Sequence, residues 1–462
     1  MKYSLFIFRR DLRLIDNKAL NFALKNFENI IPIFIFTPEQ VENNKFKSEN
    51  AIQFMIESLK ELDDELKKYN SRLHIFYGTN EEVITKILKK IEVENILFNV
   101  DYTVYAKKRD AQIKKLCEKF KVNLKVEEDY LLAPIGTFNK KDKSPYTVYT
   151  PFKNNLLKFN IEEPEKLSSK YYDNLTSLPS KTLDESDYID YKINPNILVN
   201  GGRSNALDQL KKAKSLVKYD QNRNDLSYST SLLSAYIKFG NLSIREVFKE
   251  LSEKLGKNSG LVAQLVWREF YFYIAYYFPD VLKGKNYNSK YDDIEWLTSN
   301  ENYKKWCEGK TGYPVVDAGM RELNKTGYMH NRARLITSNF LNRMLGMDWR
   351  LGEVYFANKL TDYDPSINNG NWQWVSSVGV DPKPYFQRLF NPFIQSEKFD
   401  NDGEYIRKWI PSLKKMNIPN KHLHNWEKYY KQYNLETIEY VEPIVSYKEA
   451  RQKSVDMYRE VL

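Results

Sequence analysis

Cysteine is almost absent: Cys117 and Cys307 are the only two in 462 residues, far apart and without CxxC spacing. A disulfide scaffold is excluded, and the four histidines, His74, His330, His422 and His424, do not form zinc-ligand spacings with them, so no metal site is expected. Long apolar runs are missing too. No stretch reaches the roughly 18 apolar residues of a membrane span, and the first apolar run meets Arg9, Arg10 and Asp11 at once, unlike a secretory signal. A protein of a reducing, intracellular compartment without membrane contact is expected. Glycine-rich phosphate cradles are wanting as well. Gly309-Lys310-Thr311 imitates the end of a P-loop, but Lys304 occupies the place of its leading glycine, and no GxGxxG, GxSxG or HExxH occurs. A conventional nucleotide hydrolase or dehydrogenase is thereby disfavoured.

What the chain has in excess is aromatic residues, 15% with 34 Tyr and 8 Trp, more than a core requires. The net charge of +10 suits a polyanionic partner and equally a solubilising surface. Arginine is more telling. Ten of the 18 lie between Arg203 and Arg388, which concentrates the planar, multidentate cation where phosphate or carboxylate would be held.

Along the chain, apolar runs at Ser4 to Phe8, Ile31 to Phe36, Leu73 to Tyr77 and Ile96 to Val100 alternate with helical patterns such as Glu49 to Lys68 and Glu81 to Lys90. Strands spaced by helices predict βαβ units and a Rossmann-like parallel sheet. Residues 1–130 read as this α/β domain, 131–200 as a polar interdomain connection rich in Lys, Ser, Asp and Pro, and 201–462 as an all-α domain. The run Leu261 to Phe278 is apolar or aromatic nearly all round, which predicts a central buried helix, yet it carries Gln264, Arg268 and Glu269. Buried polar groups need partners, supplied by an internal network or a bound ligand.

Four runs carry chemistry, and each admits a plain structural reading beside a functional one. Arg9, Arg10, Asp11, Arg13, Asp16 and Asn17 cluster after the first strand, either as a salt-bridged turn or at the crevice where open sheets bind ligands. Tyr219, Arg223 and the hydroxyls of Thr230, Ser231 and Ser234 stand at an expected helix start, as a cap or as a phosphate seat. Gln264, Trp267 and Arg268 at i, i+3 and i+4 place an amide, an indole and a cation on one helix face, suited to core packing or to a flipped base. The densest run joins His330 to Arg334, Trp349, Asp362 to Asp364 and Asn368 to Trp374. Its carboxylates, amides and arginines, set in an apolar region, are too costly to bury without something to bind.

These runs together resemble the photolyase and cryptochrome family over nearly the whole chain. The matching motifs are FRRDLRLIDN from Phe8, LVWREFY from Leu265, EGKTGYPVVDAGMRELNKTGYMHNRAR from Glu308 and NNGNWQWVSSVG from Asn368. GYMHNRAR and NNGNWQW are most like class I cyclobutane pyrimidine dimer (CPD) photolyases, because the animal-type 6-4 enzymes carry a second His where this chain has Asn331. The resemblance implies an antenna α/β domain and an all-α FAD-binding domain. It implies FAD contacts at Tyr219, Thr230, Ser231, Ser234, Arg268, Asn331, Arg334, Asp362, Asp364 and Asn368, the last facing flavin N5. It places the lesion at Gln264, Trp267, Asn331, Leu335 and Trp374, and a photoreducing chain at Trp372, Trp349 and Trp296. Arg332 and Arg388 take positions near FAD or the DNA backbone.

The implied activity is that of a carbon-carbon lyase: light-driven splitting of CPDs in DNA by an electron from reduced FAD. A 6-4 photolyase or a cryptochrome photoreceptor is the alternative. The implied partner is UV-damaged DNA, with no membrane and no obligate protein partner. A monomer is implied, in the cytoplasm or, in a eukaryote, the nucleus. The chain departs from the class I pattern at Gln264, where Glu is common, at Leu232, where Arg is common, and at Leu335, where Met is common. Tyr105 and Ala106 replace the Asn and Glu of folate-antenna members, which leaves a second chromophore open between folate and deazaflavin.

Overall fold

The computed structural model describes residues 2–42, 44–166, 172–173, 177–183, 189–380 and 384–462. Contacts divide the chain into two compact units. One comprises Met1–Ile193, Val199–Val217 and Ser231–Pro279, the other Asn194–Leu198, Lys218–Thr230 and Asp280–Leu462.

In the first unit, β1 (Tyr3–Phe8), β2 (Ile30–Phe36), β3 (His74–Tyr77), β4 (Val93–Asn99) and β5 (Asn123–Glu127) form a parallel sheet in the order β3-β2-β1-β4-β5. Every residue of β2 is buried, as a sheet covered on both faces demands. The crossovers include helices Lys18–Asn26, Glu49–Lys67, Asn80–Lys90 and Val104–Phe120. Asn17, Ser48, Thr79 and Thr103 start them by accepting bonds from free first-turn N–H groups. The first four strands lie where the apolar runs put them. β5 is not among the apolar runs, because NLKVE is a short polar edge strand whose Lys125 interrupts the apolar signal.

The polar stretch after residue 130 holds a helix, Tyr149–Leu156, anchored by buried Phe152 and Leu156 at i and i+4. Helices Arg203–Lys214, Ser234–Phe239, Ile244–Leu255 and Gly260–Tyr277 complete this unit. The last is the central buried helix expected from its composition. The described elements of the second unit are all helical. Pro314–Thr326, Asn331–Asn339, Trp349–Lys359 and Pro365–Val375 surround a core that includes Trp306, Met320, Phe340, Trp349 and Trp372. Among the described residues no helix is long and apolar enough to cross a membrane.

Candidate functional site

The strand order reverses at β1, so the ends of β1 and β4 flank the crevice where ligands bind on open sheets. Here most of the charges pair with one another, although Arg9 Nη2 is buried without a partner among the described residues. Arg9 pairs with Asp110 at 2.9 Å and Arg10 with Asp101 at 3.1 Å. Asp11 accepts from the Arg9 N–H at 2.7 Å and from Asn99 at 2.6 Å. Deeper still, Arg13 and Arg245 converge on Asp129 at 2.5 and 2.6 Å, and Arg245 reaches Asp16 at 3.1 Å. Burial pushes the Asp11 carboxyl up, whereas at Asp129 the opposing burial is outweighed by Arg13 and Arg245, which hold it below the usual range. The salt-bridged turn is the reading that this geometry supports.

On the Gly260–Tyr277 helix the three polar residues do not share one fate. Gln264 and Trp267 are half-buried, and the Gln264 amide makes only a long 3.4 Å bond back to the Gly260 carbonyl. Arg268 turns inward instead. It pairs with Glu269 at 2.7 Å, donates to the Tyr130 carbonyl at 2.8 Å and lies 4.2 Å from the Tyr130 ring centroid. Glu269 is wholly buried, and its second oxygen accepts from the Leu132 N–H at 3.1 Å. Burial raises its carboxyl to about 7 despite both partners.

The hydroxyl run opens no capped helix. Leu233 precedes Ser234–Phe239 without a side-chain cap, and Leu232 adopts a left-handed φ of 51°. The Ser231 carbonyl accepts from Gln209 at 2.8 Å. Tyr219 is half-buried, and burial pushes its hydroxyl up to about 12.

In the second unit, His330 caps the Asn331–Asn339 helix by accepting from the Arg332 N–H at 3.1 Å. Burial and then the neighbouring arginines lower its imidazole to about 4, so it stays neutral. Asn331 is exposed at the helix start, and Arg334 and Leu335 follow at i+3 and i+4 on the same face. Arg334 pairs with Asp362 at 2.9 Å and donates to the Met329 carbonyl at 2.9 Å. Burial opposes its charge, but Asp362 more than offsets this and raises it. Asp364 caps Pro365–Val375 through Ser366 and Ile367. Four residues on, the Asn368 amide donates to the Glu353 carbonyl at 3.1 Å, while its Oδ1 accepts no bond among the described residues. Asn369 and Gln373 are spent on structure, bonding Glu353, Val281, Tyr287 and each other.

Trp374 carries a buried Nε1–H without a partner among the described residues. Arg388 lies 4.0 Å over its ring and donates to its carbonyl at 2.6 Å. Arg388 is 2% exposed, so it holds Trp374 rather than offering charge to solvent. Arg332 bonds Asn224 at 2.7 Å and lies over Phe399. Trp372 and Trp349 are buried and Trp296 is half-buried, a gradient from interior toward surface. The Trp349 indole donates to Asn286 at 3.0 Å. Asn286 and Glu353 support these groups, yet no motif marks them, because each is recognisable only by what it touches, whereas Glu269 lies within LVWREFY.

Residues 4–168 match a family described as DNA photolyase, and residues 261–460 match the FAD binding domain of DNA photolyase. A deoxyribodipyrimidine photo-lyase of Buchnera aphidicola is 35% identical, with 100% of this chain and 97% of the relative covered; that of Escherichia coli is 34% identical, covering 99% and 98%. An archaeal photolyase from Sulfolobus tokodaii, solved with two FAD molecules, superposes with a TM-score of 0.88 at 40% identity over 99% of this chain and 100% of its own. A class III photolyase from Agrobacterium tumefaciens gives 0.90 at 29% identity, covering 100% and 98%.

Proposed function

The chain belongs to the DNA photolyase family, and from that premise we propose that it repairs UV-damaged DNA by splitting cyclobutane pyrimidine dimers in light. Kinship over the full chain with proteins named deoxyribodipyrimidine photo-lyase carries this reading. Reduced FAD, when bound, supplies the photochemistry: one electron passes to the dimer and returns once the ring has opened.

The groups present suit a flavin dinucleotide. Asn368 Oδ1 takes no bond among the described residues, and Thr361 Oγ1 is buried without a partner there. Such unspent groups fit a ligand carrying ring N–H, carbonyl and hydroxyl functions. Asn368 would hold flavin N5, Asp362 and Asp364 would accept from ring N–H or ribose hydroxyls, and Arg334, held by Asp362, and Arg268 would line the cofactor. Tyr219, Thr230, Ser231, Ser234 and Asn331 complete the set.

Gln264, Trp267, Asn331, Leu335 and Trp374 are assigned to the lesion, by stacking and by amide bonds to pyrimidine carbonyls. Arg332 is assigned to the DNA backbone, and Arg388 acts through Trp374. Trp296, Trp349 and Trp372 relay electrons inward during photoreduction. A second, light-harvesting chromophore belongs to the α/β part, either a folate or a deazaflavin, with a second flavin added by the two FAD molecules of the Sulfolobus protein. The functional division follows 1–130, 131–200 and 201–462, and the protein acts as a monomer in the compartment that holds the genome.

The test is direct. Purified protein should release stoichiometric FAD on acid treatment and, once reduced, should repair a CPD oligonucleotide in light and not in darkness. Turnover of a 6-4 lesion without CPD repair would reassign the substrate, and absence of flavin would end the reading.

A further inference from the structure

Tyr149, the first residue of its helix, lies face to face on Trp267, with ring centroids 3.5 Å apart and planes within 4° of parallel. Its hydroxyl donates at 3.0 Å to the Ala263 carbonyl, one turn before Trp267 on the same helix. Tyr149 therefore grips that helix at two points. Phe270 meets both rings edge-on, at 6.0 Å from Tyr149 and 5.7 Å from Trp267, and the Tyr271 ring lies 5.7 Å from the indole. The Trp267 indole makes no hydrogen bond among the described residues. Packing led by these three rings, and not a hydrogen bond, sets its plane.

A centred, parallel sandwich is the less favoured aromatic geometry, since the facing quadrupoles repel; offset and edge-on pairs are preferred. This stack is thus imposed from outside, by the hydroxyl bond and by the seating of Phe152 and Leu156. Its consequence is that one indole face is closed, so a base can meet Trp267 only on the other face or at the rim.

We propose that Tyr149 is a positioning residue for lesion recognition, fixing the Trp267 plane and sealing its rear face so that a pyrimidine dimer meets a preset surface. The proposal rests on the assignment of Trp267 to the lesion.

The experiment uses full-length, flavin-loaded protein in darkness and reads the ratio of Kd for undamaged against CPD-containing oligonucleotides of one sequence. Tyr149→Phe keeps the ring and should hold this ratio within about threefold. Tyr149→Leu should lower it about tenfold, equivalent to ~1.4 kcal/mol, with undamaged-DNA affinity and flavin content unchanged. In a Trp267→Ala background the same substitution should cost nothing further, because the surface it presets is gone. If Tyr149→Leu loses its flavin, Tyr149→Met, apolar and ringless, carries the same expectation. A ratio untouched by loss of the ring, or losses that simply add to those of Trp267→Ala, would overturn the proposal. A silent Trp267→Ala would instead remove the lesion assignment and this proposal with it, whereas a damaging Trp267→Ala beside a silent Tyr149→Leu refutes Tyr149 alone.

Discussion

A Cβ on Gly352 would overlap the Trp372 indole, so this glycine is required by where a side chain lies and not by backbone conformation. Gly352→Ala should cost about 1 to 3 kcal/mol in urea unfolding, as overpacked cores do. By shifting Trp372 it should also slow photoreduction of the flavin-loaded protein under a reductant. Trp372→Phe nearly keeps the shape and removes the indole. It should slow photoreduction strongly while repair by chemically reduced protein persists; equal loss of both would make Trp372 a packing residue only. At this scale the sequence was informative about type and silent about direction. Gln264, Trp267 and Arg268 share a helix face by spacing, yet Arg268 leans toward Tyr130 and Glu269. A helix apolar nearly all round has no polar face from which inward and outward could be told. Arg388, likewise, could be picked out as a cation but not recognised as a buried one.

Among elements, the Gly260–Tyr277 helix holds the clearest titrating group. Glu269 keeps its proton in the folded state up to about pH 7, whereas an unfolded Glu releases it near ~4.3. Between those values the folded state binds more protons, so Glu269 makes stability fall as pH rises, by at most ~1.4 kcal/mol per pH unit. His330 and His74, lowered to about 4 mainly by burial, act oppositely, since the unfolded chain takes up protons below ~6.5 and stability is lost as pH falls. The whole-protein curve mixes both. The difference between wild type and Glu269→Gln isolates the carboxyl: the variant should lose less stability from pH 5 to pH 7.5, and parallel curves would mean that Glu269 stays ionised. Elements were legible where composition and period agreed. β1 to β4 announce themselves as apolar runs, while the Tyr149–Leu156 helix hides in a Lys- and Asn-rich stretch with only Phe152 and Leu156 to bury.

For the whole molecule, periodicity told which elements exist and not which of them pack together. The contacts assign 231–279 to the same compact unit as the sheet, and Arg245 explains part of that grouping by binding Asp16 and Asp129. No local pattern joins charges so distant in the chain. Net charge is a whole-molecule property as well, and +10 bears on DNA through its phosphates. Lysines and arginines that displace counterions should make affinity fall steeply between about 50 and about 200 mM salt, for damaged and undamaged duplexes alike. The residues assigned to the lesion, Gln264, Trp267, Asn331, Leu335 and Trp374, carry no charge. Stacking and amide bonds are little screened, so the preference for damaged DNA should hold nearly constant while both affinities drop. Titration of matched oligonucleotides across that range decides the matter: parallel lines of log Kd against log salt fit uncharged recognition, and a preference that vanishes with salt would transfer it to the cations, Arg332 first among them.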